Sequence, residues 1–486
     1  MDFIMTKLKK KWQLITKKGY RVLLSIFIFF IFASCATSTR NMGFADADRE
    51  VAERNYLSAI EQLNTSDKES PYRDKDQVLK YLDTGILYHM ADNPKESIDR
   101  FNEAERLIQE NFTKSITDAA ASFLLNDYTL EYFGEAYEDL YLNIFKAIDF
   151  IRLDSFDGAF VEIRRLTDKL NLLEDKYGNL AHSMNSSKDA QGTIKAGKTE
   201  FHNSALARYF GILLYRADGR RDSAAIDLAK LKEAFRDQPK VYDFPLPKNL
   251  DIMLQGTNKA RINVIAFTGR SPIKKASTLR ITTLENLILI TQEKEDDHGK
   301  MVLTDLTPIP FPGITGGYNF KTQTPEMVKR PSRVSKIQVS VNGTPVGELE
   351  LIEKLDEVAI ETFNLRKGMI FFKTIIRTVT KGILTKQATK AANNAAANSG
   401  GVAQVLSFLG GIALTVAADS SEQADLRNAR YFPGQAYVGE FWVEPGEHTI
   451  AVDYYDKSNI LLYRKVFAPG NYVPGQLYIL PSYDLQ

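Results

Sequence analysis

Gly192-Thr193-Ile194-Lys195-Ala196-Gly197-Lys198-Thr199 matches the G-x-x-x-x-G-K-T loop that wraps nucleotide phosphates in backbone amides and a lysine. Its surroundings argue against that chemistry. A phosphate loop follows a buried strand and opens a helix, whereas the preceding His182-Ser183-Met184-Asn185-Ser186-Ser187-Lys188-Asp189 is loop-like, with no apolar strand ending in Asp nearby to hold magnesium. The stretch from about Asn179 to Thr199 therefore reads as a long polar loop. Other chemical signals are thin. The five histidines, His89, His182, His202, His298 and His448, are scattered, with no His-Glu-x-x-His and no Gly-x-Ser-x-Gly. Glu293, Glu295, Asp296, Asp297 and His298 have metal-friendly side chains, but consecutive charges in a loop are usually just solvated. No catalytic residue, metal ligand or cofactor is assigned, and the expectation is a protein that is not an enzyme.

The one cysteine, Cys35, carries a different chemistry. Ahead of it lie Lys7, Lys9, Lys10, Lys11, Lys17, Lys18 and Arg21 against the single acid Asp2, then the apolar run Val22 to Ala33. That run is roughly 12 residues, short of the about 20 needed to cross a bilayer core. This pattern is a signal peptide. Phe32-Ala33-Ser34-Cys35 resembles the lipobox of bacterial lipoproteins, with Phe32 where Leu is usual. The resemblance implies that Cys35 is diacylated on sulfur, as by palmitate, and becomes the mature N-terminus. An uncleaved N-terminal anchor is the alternative. Ala36, rather than Asp, follows the cysteine, which by the same resemblance implies the outer membrane, facing the periplasm. With no second cysteine the mature chain has no internal disulfide and no cysteine catalysis. The chain's net charge is +1, and losing the basic leader takes the rest to about −5, so nucleic acid is not an expected partner.

At 486 residues, 44% apolar, the chain has material for about two or three cores. A polar tether, 35–42, leads from the signal peptide, 1–34, to a helical pattern over 43–245. Tyr81, Thr84, Gly85, Tyr88, Ser97, Phe101 and Ala104 stand at tetratricopeptide-repeat spacing, with Asn93-Pro94 at the turn. Gly85 and Ala104 permit close helix approach. Ala147, Phe150, Ala159, Ile163 and Leu166 fit the same spacing with Asp157-Gly158 at or near the turn, and Gly211 to Leu231 fits loosely around Asp218-Gly219. Asn55 to Ile60 reads as the second helix of an initial repeat. Stacked repeats make concave scaffolds that bind peptides or proteins. Tyr128, Glu131, Tyr132, Glu135, Tyr137 and Glu138, in an acidic and aromatic stretch, are candidate partner-binding residues, as are Glu162, Arg164 and Arg165. The alternatives are half-buried packing tyrosines and inter-helix ion pairs.

After Pro245-Leu246-Pro247 the pattern alternates, predicting a β-rich domain over 255–486. Arg261 to Phe267 reads as a strand, Thr268 to Pro272 as a turn and Leu279 to Thr283 as a strand. Ser335 to Ser340 and Val346 to Leu351 form a hairpin around Asn342-Gly343, and Tyr437 to Val443, the region through Tyr454 and Ile460 to Phe467 supply later strands. The expected class is α+β: an N-terminal tetratricopeptide-like α-helical repeat domain, then an antiparallel β-sandwich-like domain with a helical hairpin insert at about 361–428. In the insert, Arg366, Lys373, Arg377 and Lys381 share one helix side, while Phe372, Ile375, Ile376, Val379 and Ile383 share the other. Ser399 to Ala418 carries no charge; it is read as a helix buried on the sheet, with membrane insertion or a subunit contact as alternatives.

The lipobox, Phe160-Val161-Glu162-Ile163-Arg164-Arg165, Gly269-Arg270-Ser271-Pro272-Ile273-Lys274 and Ala424-Asp425-Leu426-Arg427 ahead of Pro433 together resemble an uncharacterised family of bacterial tetratricopeptide-repeat-containing outer-membrane lipoproteins. Ala429 stands where an aromatic is expected after the Ala-Asp-x-Arg motif. The resemblance implies an accessory role in the cell envelope. The expected function is thus a lipid-anchored periplasmic scaffold that binds a protein partner in cell-wall synthesis, secretion or envelope machinery. The alternative is a homo-oligomeric, structural or pore-like outer-membrane assembly that uses residues 361–418.

Overall fold

In the computed structural model the described residues are 43–64, 70–188, 190, 192–248, 250–295, 301–397 and 423–486. The signal peptide, Cys35, Asp296 to His298 and Ser399 to Ala418 lie outside them. The chain forms two compact units, Met1–Arg73 and Asp74–Gln486. The first holds α1 (Ala45–Ala52) and α2 (Tyr56–Leu63), joined through Arg54 at φ 64°, with Phe44 edge-on to Tyr72 at 5.3 Å. The expected second helix at Asn55 to Ile60 is α2. Helix gives way to strand between Asp237 and Ala260, and no unit boundary accompanies the change: the later helices and all the sheets belong to the second unit.

Three helix pairs in the second unit repeat one device. α3 (Gln77–Met90) and α4 (Pro94–Thr117) turn through Asp92 at φ 59°, with Pro94 opening the helix where its missing N–H costs nothing. A Cβ on Gly85 would stand 2.9 Å from the Phe101 ring, and Ser97 donates to the Gly85 carbonyl at 3.0 Å, so these helices touch where the spacing predicts. α5 (Ala136–Arg152) and α6 (Phe156–Asn171) turn at Asp154, φ 56°, three residues before the expected Asp157. Gly158 lies inside α6, where a Cβ would meet the Phe150 ring at 2.6 Å. α8 (Ala205–Ala217) and α9 (Arg221–Asp237) turn at Gly219, φ 72°. α7 (Leu173–Asn185) follows α6 as an extra helix.

Strands β1 (Ala260–Thr268), β8 (Glu350–Glu353), β9 (Gln435–Val443) and β14 (Tyr478–Asp484) form one sheet in the order β14-β1-β9-β8. β6 (Lys336–Val341), β7 (Thr344–Glu348), β11 (Ile450–Tyr455) and β12 (Leu461–Val466) form a second, β12-β11-β6-β7. Ile262, Val264 and Ala266 of the first share one core with Ile337, Val339, Val452 and Tyr454 of the second, the expected sandwich. Asn342 and Gly343, both at positive φ, make the expected hairpin. Two details differ from expectation. β1 and β14 run parallel, and Thr268 to Pro272 is not an open turn, since only Gly269, at φ 59°, separates β1 from β2 (Arg270–Leu284).

β2, β3 (Leu287–Glu295), β4 (Met301–Pro310) and β5 (Asn319–Arg330) build a third sheet, β4-β3-β2-β5, of which the sequence reading had only one strand. β10 (Gly446–His448) and β13 (Gly470–Tyr472) pair separately. The insert is α10 (Leu355–Ala397), a single long helix; any hairpin return lies outside the described residues. Its apolar side, with Ile375 and Val379, packs on Leu279, Ile281, Ile288 and Ile290 of the third sheet.

Candidate functional site

The basic side of α10 faces the helix pairs, and each of its first three cations meets an acceptor there. Arg366 reaches Glu135 at 3.2 Å, Lys373 reaches Asp127 at 2.6 Å and Arg377 donates to the Leu125 carbonyl at 3.2 Å. α10 is thus clasped between sheet and helices. Residues 423–434 form an extended strap beside it, and Arg427 on that strap uses every guanidinium nitrogen. Nε and Nη2 bond Asp425 at 2.8 and 2.7 Å, Nη1 bonds Asp76 at 3.2 Å and the Leu130 carbonyl at 2.9 Å, and Nη2 also bonds the Asp127 carbonyl at 2.7 Å. Only a planar guanidinium can serve so many acceptors at once. Burial penalises the Asp425 carboxylate, yet Arg427 and Lys274 outweigh that and hold its pKa well below the usual range.

Lys274 donates to the Arg427 carbonyl at 2.7 Å and pairs with Glu135, so the Gly-Arg-Ser-Pro-Ile-Lys and Ala-Asp-Leu-Arg motifs meet at one point. Glu138 completes the cluster. It accepts from Tyr132 Oη and the Glu135 amide, each at 2.8 Å, and from the Ala429 amide at 2.5 Å. Burial, then the neighbouring Glu135 charge, push the Glu138 carboxyl up to about 7. Ala429, standing where one aromatic was expected, is fully buried with its amide on Glu138, and two fully buried aromatics, Tyr431 and Phe432, follow it.

The third motif lies in a separate ion network. Lys146, completely buried on α5, stands 3.0 Å from both Glu105 and Glu162; Arg165 bridges the same two acids at 3.0 and 3.2 Å. Lys169 links Glu105 to Asp139 at 2.7 and 2.6 Å. Burial opposes the Glu105 carboxylate, but Lys169 and Lys146 lower it to about 2.

The candidate partner-binding residues therefore separate. Tyr132, Glu135, Tyr137, Glu138 and Glu162 are buried within the frame, because their carboxylates and hydroxyls hold the strap and neighbouring helices; they do not form a surface. Tyr128 is half-buried near the Arg427 guanidinium, while Glu131 and Arg164 are exposed and Arg165 partly so. Of the nine, Glu131 and Tyr132 border a cavity of about 400 Å³. It lies between the 118–133 loop, α4, α7, α10 and the strap. Leu125, Leu130, Phe133, Leu180, Met184 and Ile370 give it an apolar lining. Asp127, Arg366, Lys373, Asp425 and Arg427 in its wall are already paired, while the exposed Asp118 and the pair Lys114 and Glu131, 3.0 Å apart, mark its rim. Such a space takes apolar groups, with exposed charges at the edge for orientation.

The phosphate-loop match lies elsewhere. Gly192 to Thr199 is extended loop after α7, with Lys198 exposed. Gly197 bonds the Leu365 carbonyl through its amide at 2.9 Å, and a Cβ there would collide with the Asn364 carbonyl oxygen. Its glycine serves backbone contact with α10. Glu293, from the metal-friendly stretch, lies on β3 and pairs with Arg280. No group of three or more His, Cys, Asp or Glu among the described residues could hold a metal ion.

Two polar centres escaped sequence reading. His89 places Nδ1 2.8 Å from Asp149 and Nε2 2.6 Å from Tyr483 Oη, with all three residues buried. Burial lowers the His89 pKa, so the ring is neutral, donating to Asp149 and accepting from Tyr483. Glu353 on β8 is buried and accepts from Tyr242 at 2.7 Å, Ser204 at 2.9 Å, the Leu206 amide at 3.1 Å and Tyr141. Glu353 was one acid among several from Glu348 to Glu357 and gave no signal of its own, and His89 gave none, since its partners lie far away in sequence.

No family model and no curated protein matches this chain. Among solved structures it is similar to the crystal structure of PilW, a widely conserved type IV pilus biogenesis factor, at 16% identity over 40% of this chain and 94% of that one, with a TM-score of 0.14.

Proposed function

We propose that this chain is a non-enzymatic, lipid-anchored scaffold on the periplasmic side of the outer membrane. Its cavity beside α10 receives an apolar side-chain cluster of a protein partner in the envelope machinery. The observation that carries the reading is how the ionisable groups are used. Arg427, Lys274, Glu135, Glu138, Lys146 and Glu105 are all turned inward as clamps between elements, and the cavity beside α10, which Arg427 alone of them lines, keeps a largely apolar lining. The exported leader ending at Cys35 supplies the location. Residues 361–383 are largely engaged by their own chain on both sides, which favours the scaffold over an assembly built on that part of the insert.

A photo-crosslinking side chain placed in intact cells at Leu125 or Met184 is expected to give one discrete protein adduct, absent when the probe is at Ile226 on α9. Leu125 and Ile226 are similarly exposed, at 49% and 57%, so the comparison tests place rather than accessibility. Identical adducts at all three positions, or none at the cavity, would overturn the reading.

A further inference from the structure

Three arginines converge on the end of one short 3₁₀ turn, Leu250–Leu254. Arg216 of α8 donates to the Met253 carbonyl at 2.8 Å, Arg221 of α9 donates to the Leu254 carbonyl, and Arg261 of β1 donates to the Gln255 carbonyl. A neutral carbonyl orients a guanidinium without cancelling its charge. One acid serves the group: Glu440 stands 2.6 Å from Arg216 and 2.5 Å from Arg261. Arg221 has no ion-pair partner among the described residues. Arg261 is further fixed against the Trp442 ring, 4.8 Å from its centroid.

These three arginines, with Lys259, line a cavity of about 270 Å³ that no acidic side chain lines. Lys259 pairs outward with the exposed Glu444. Gly219, Gly256 and Gly475 also line it, and a Cβ at any of them would meet open space, so no side chain from these positions obstructs it. Arginines that only glued α8 and α9 to β1 would be expected with matching acids. Here the guanidiniums are held in place and left in excess.

We propose that this cavity is an anion site that takes a carboxylate or phosphate group borne on a small polar ligand. The guanidinium fork matches either oxyanion, and the volume suits a terminal group rather than a folded segment. The site is separate from the cavity beside α10 and stands or falls independently of it.

The test uses the lipid-anchored chain from Cys35 in non-ionic detergent micelles, where Trp442, which lies on Arg261, is the single tryptophan and the reporter. Inorganic phosphate and an N-acetylated dipeptide with a free carboxylate are titrated separately, with the C-terminally amidated dipeptide as control. Titration calorimetry runs in parallel. Saturable binding of phosphate or of the free-carboxylate dipeptide is expected, with none of the amide, and whichever probe binds identifies the source of the anion. Arg221→Gln should weaken that binding roughly tenfold or more at an unchanged melting temperature, and Arg221→Lys should recover part of it. Absence of binding by both probes in both measurements, or equal binding by Arg221→Gln, overturns the proposal.

Discussion

Arg427 bonds five acceptors from three parts of the chain, and no other side chain could replace it. Arg427→Lys keeps the charge but loses the fork, while Arg427→Ala also leaves Asp425 and Asp76 buried without their cation. Breaking a buried pair in this way costs about 3–5 kcal/mol. Denaturant unfolding should show that loss for Arg427→Ala and a smaller but clear loss for Arg427→Lys. A second residue-scale expectation concerns pH. The folded Glu138 carboxyl titrates at about 7, above its unfolded value, so the native state binds more protons than the unfolded chain between roughly pH 4.5 and 7. Stability from this group therefore falls as pH rises through that window. Asp425 and Glu105 are shifted the other way, and their contribution is lost as pH drops below the ordinary carboxylate range. His89, whose pKa is lowered, acts the opposite way as pH rises through its ordinary range, so the assignment is read as a difference: from pH 4 to 8 the unfolding free energy of the native chain should fall relative to that of Glu138→Gln, and parallel profiles would refute it.

At the scale of elements, the glycines separate real contacts from a chance motif. Gly85→Leu drives a side chain into the Phe101 ring and should cost about 1–3 kcal/mol, read as a lowered melting temperature. Gly197→Ala should also destabilise, because its methyl meets the rigid Asn364 backbone, whereas the adjacent Lys198→Ala should change neither stability nor nucleotide binding. Helix pairs were legible because small residues, turn residues and aromatics recur at local spacing, and the Asn342-Gly343 hairpin was legible for the same reason. The third sheet was not. β3 and β5 mix Thr, Gln, Lys and Glu with their apolar residues, and their buried face is defined by α10, which follows all four strands of the sheet. The candidate site was half legible: the motifs around Lys274 and Arg427 stood out as words, but only the fold shows that they touch. The tyrosines and glutamates of 128–138 looked like a surface because sequence does not show which face the strap will cover.

For the molecule as a whole, the helix pairs from Gln77 onward and the sheets share their polar centres. Glu353 from β8 is received by Tyr141, Ser204 and Tyr242, and Tyr483 from β14 by His89. A fragment ending near residue 245 would leave those acceptors and donors unfilled and the inner faces of α3, α5 and α8 bare. Such a fragment, 43–245, should lack a cooperative melting transition and be cut rapidly by protease, although its secondary structure is local. A fragment as protease-resistant as the full chain would contradict this. At the other end, Cys35→Ala should abolish incorporation of a palmitate analogue, since no other thiol exists to carry it.

His89 and Tyr483 are 394 residues apart, and between them the chain builds every sheet. For a polypeptide that leaves the cytoplasm N-terminus first, this separation becomes a matter of time. The helices near His89 arrive early and cannot be finished until β14 arrives to pair with β1. Until then His89 lacks the hydroxyl that fills its second nitrogen, and β1 lacks one of its two neighbours. On the proposed export route the chain would pass through a waiting state with an open strand edge for as long as translocation lasts. A chain that stops short of residue 478 lacks both β14 and the Tyr483 hydroxyl, so completion of this fold waits on its last strand.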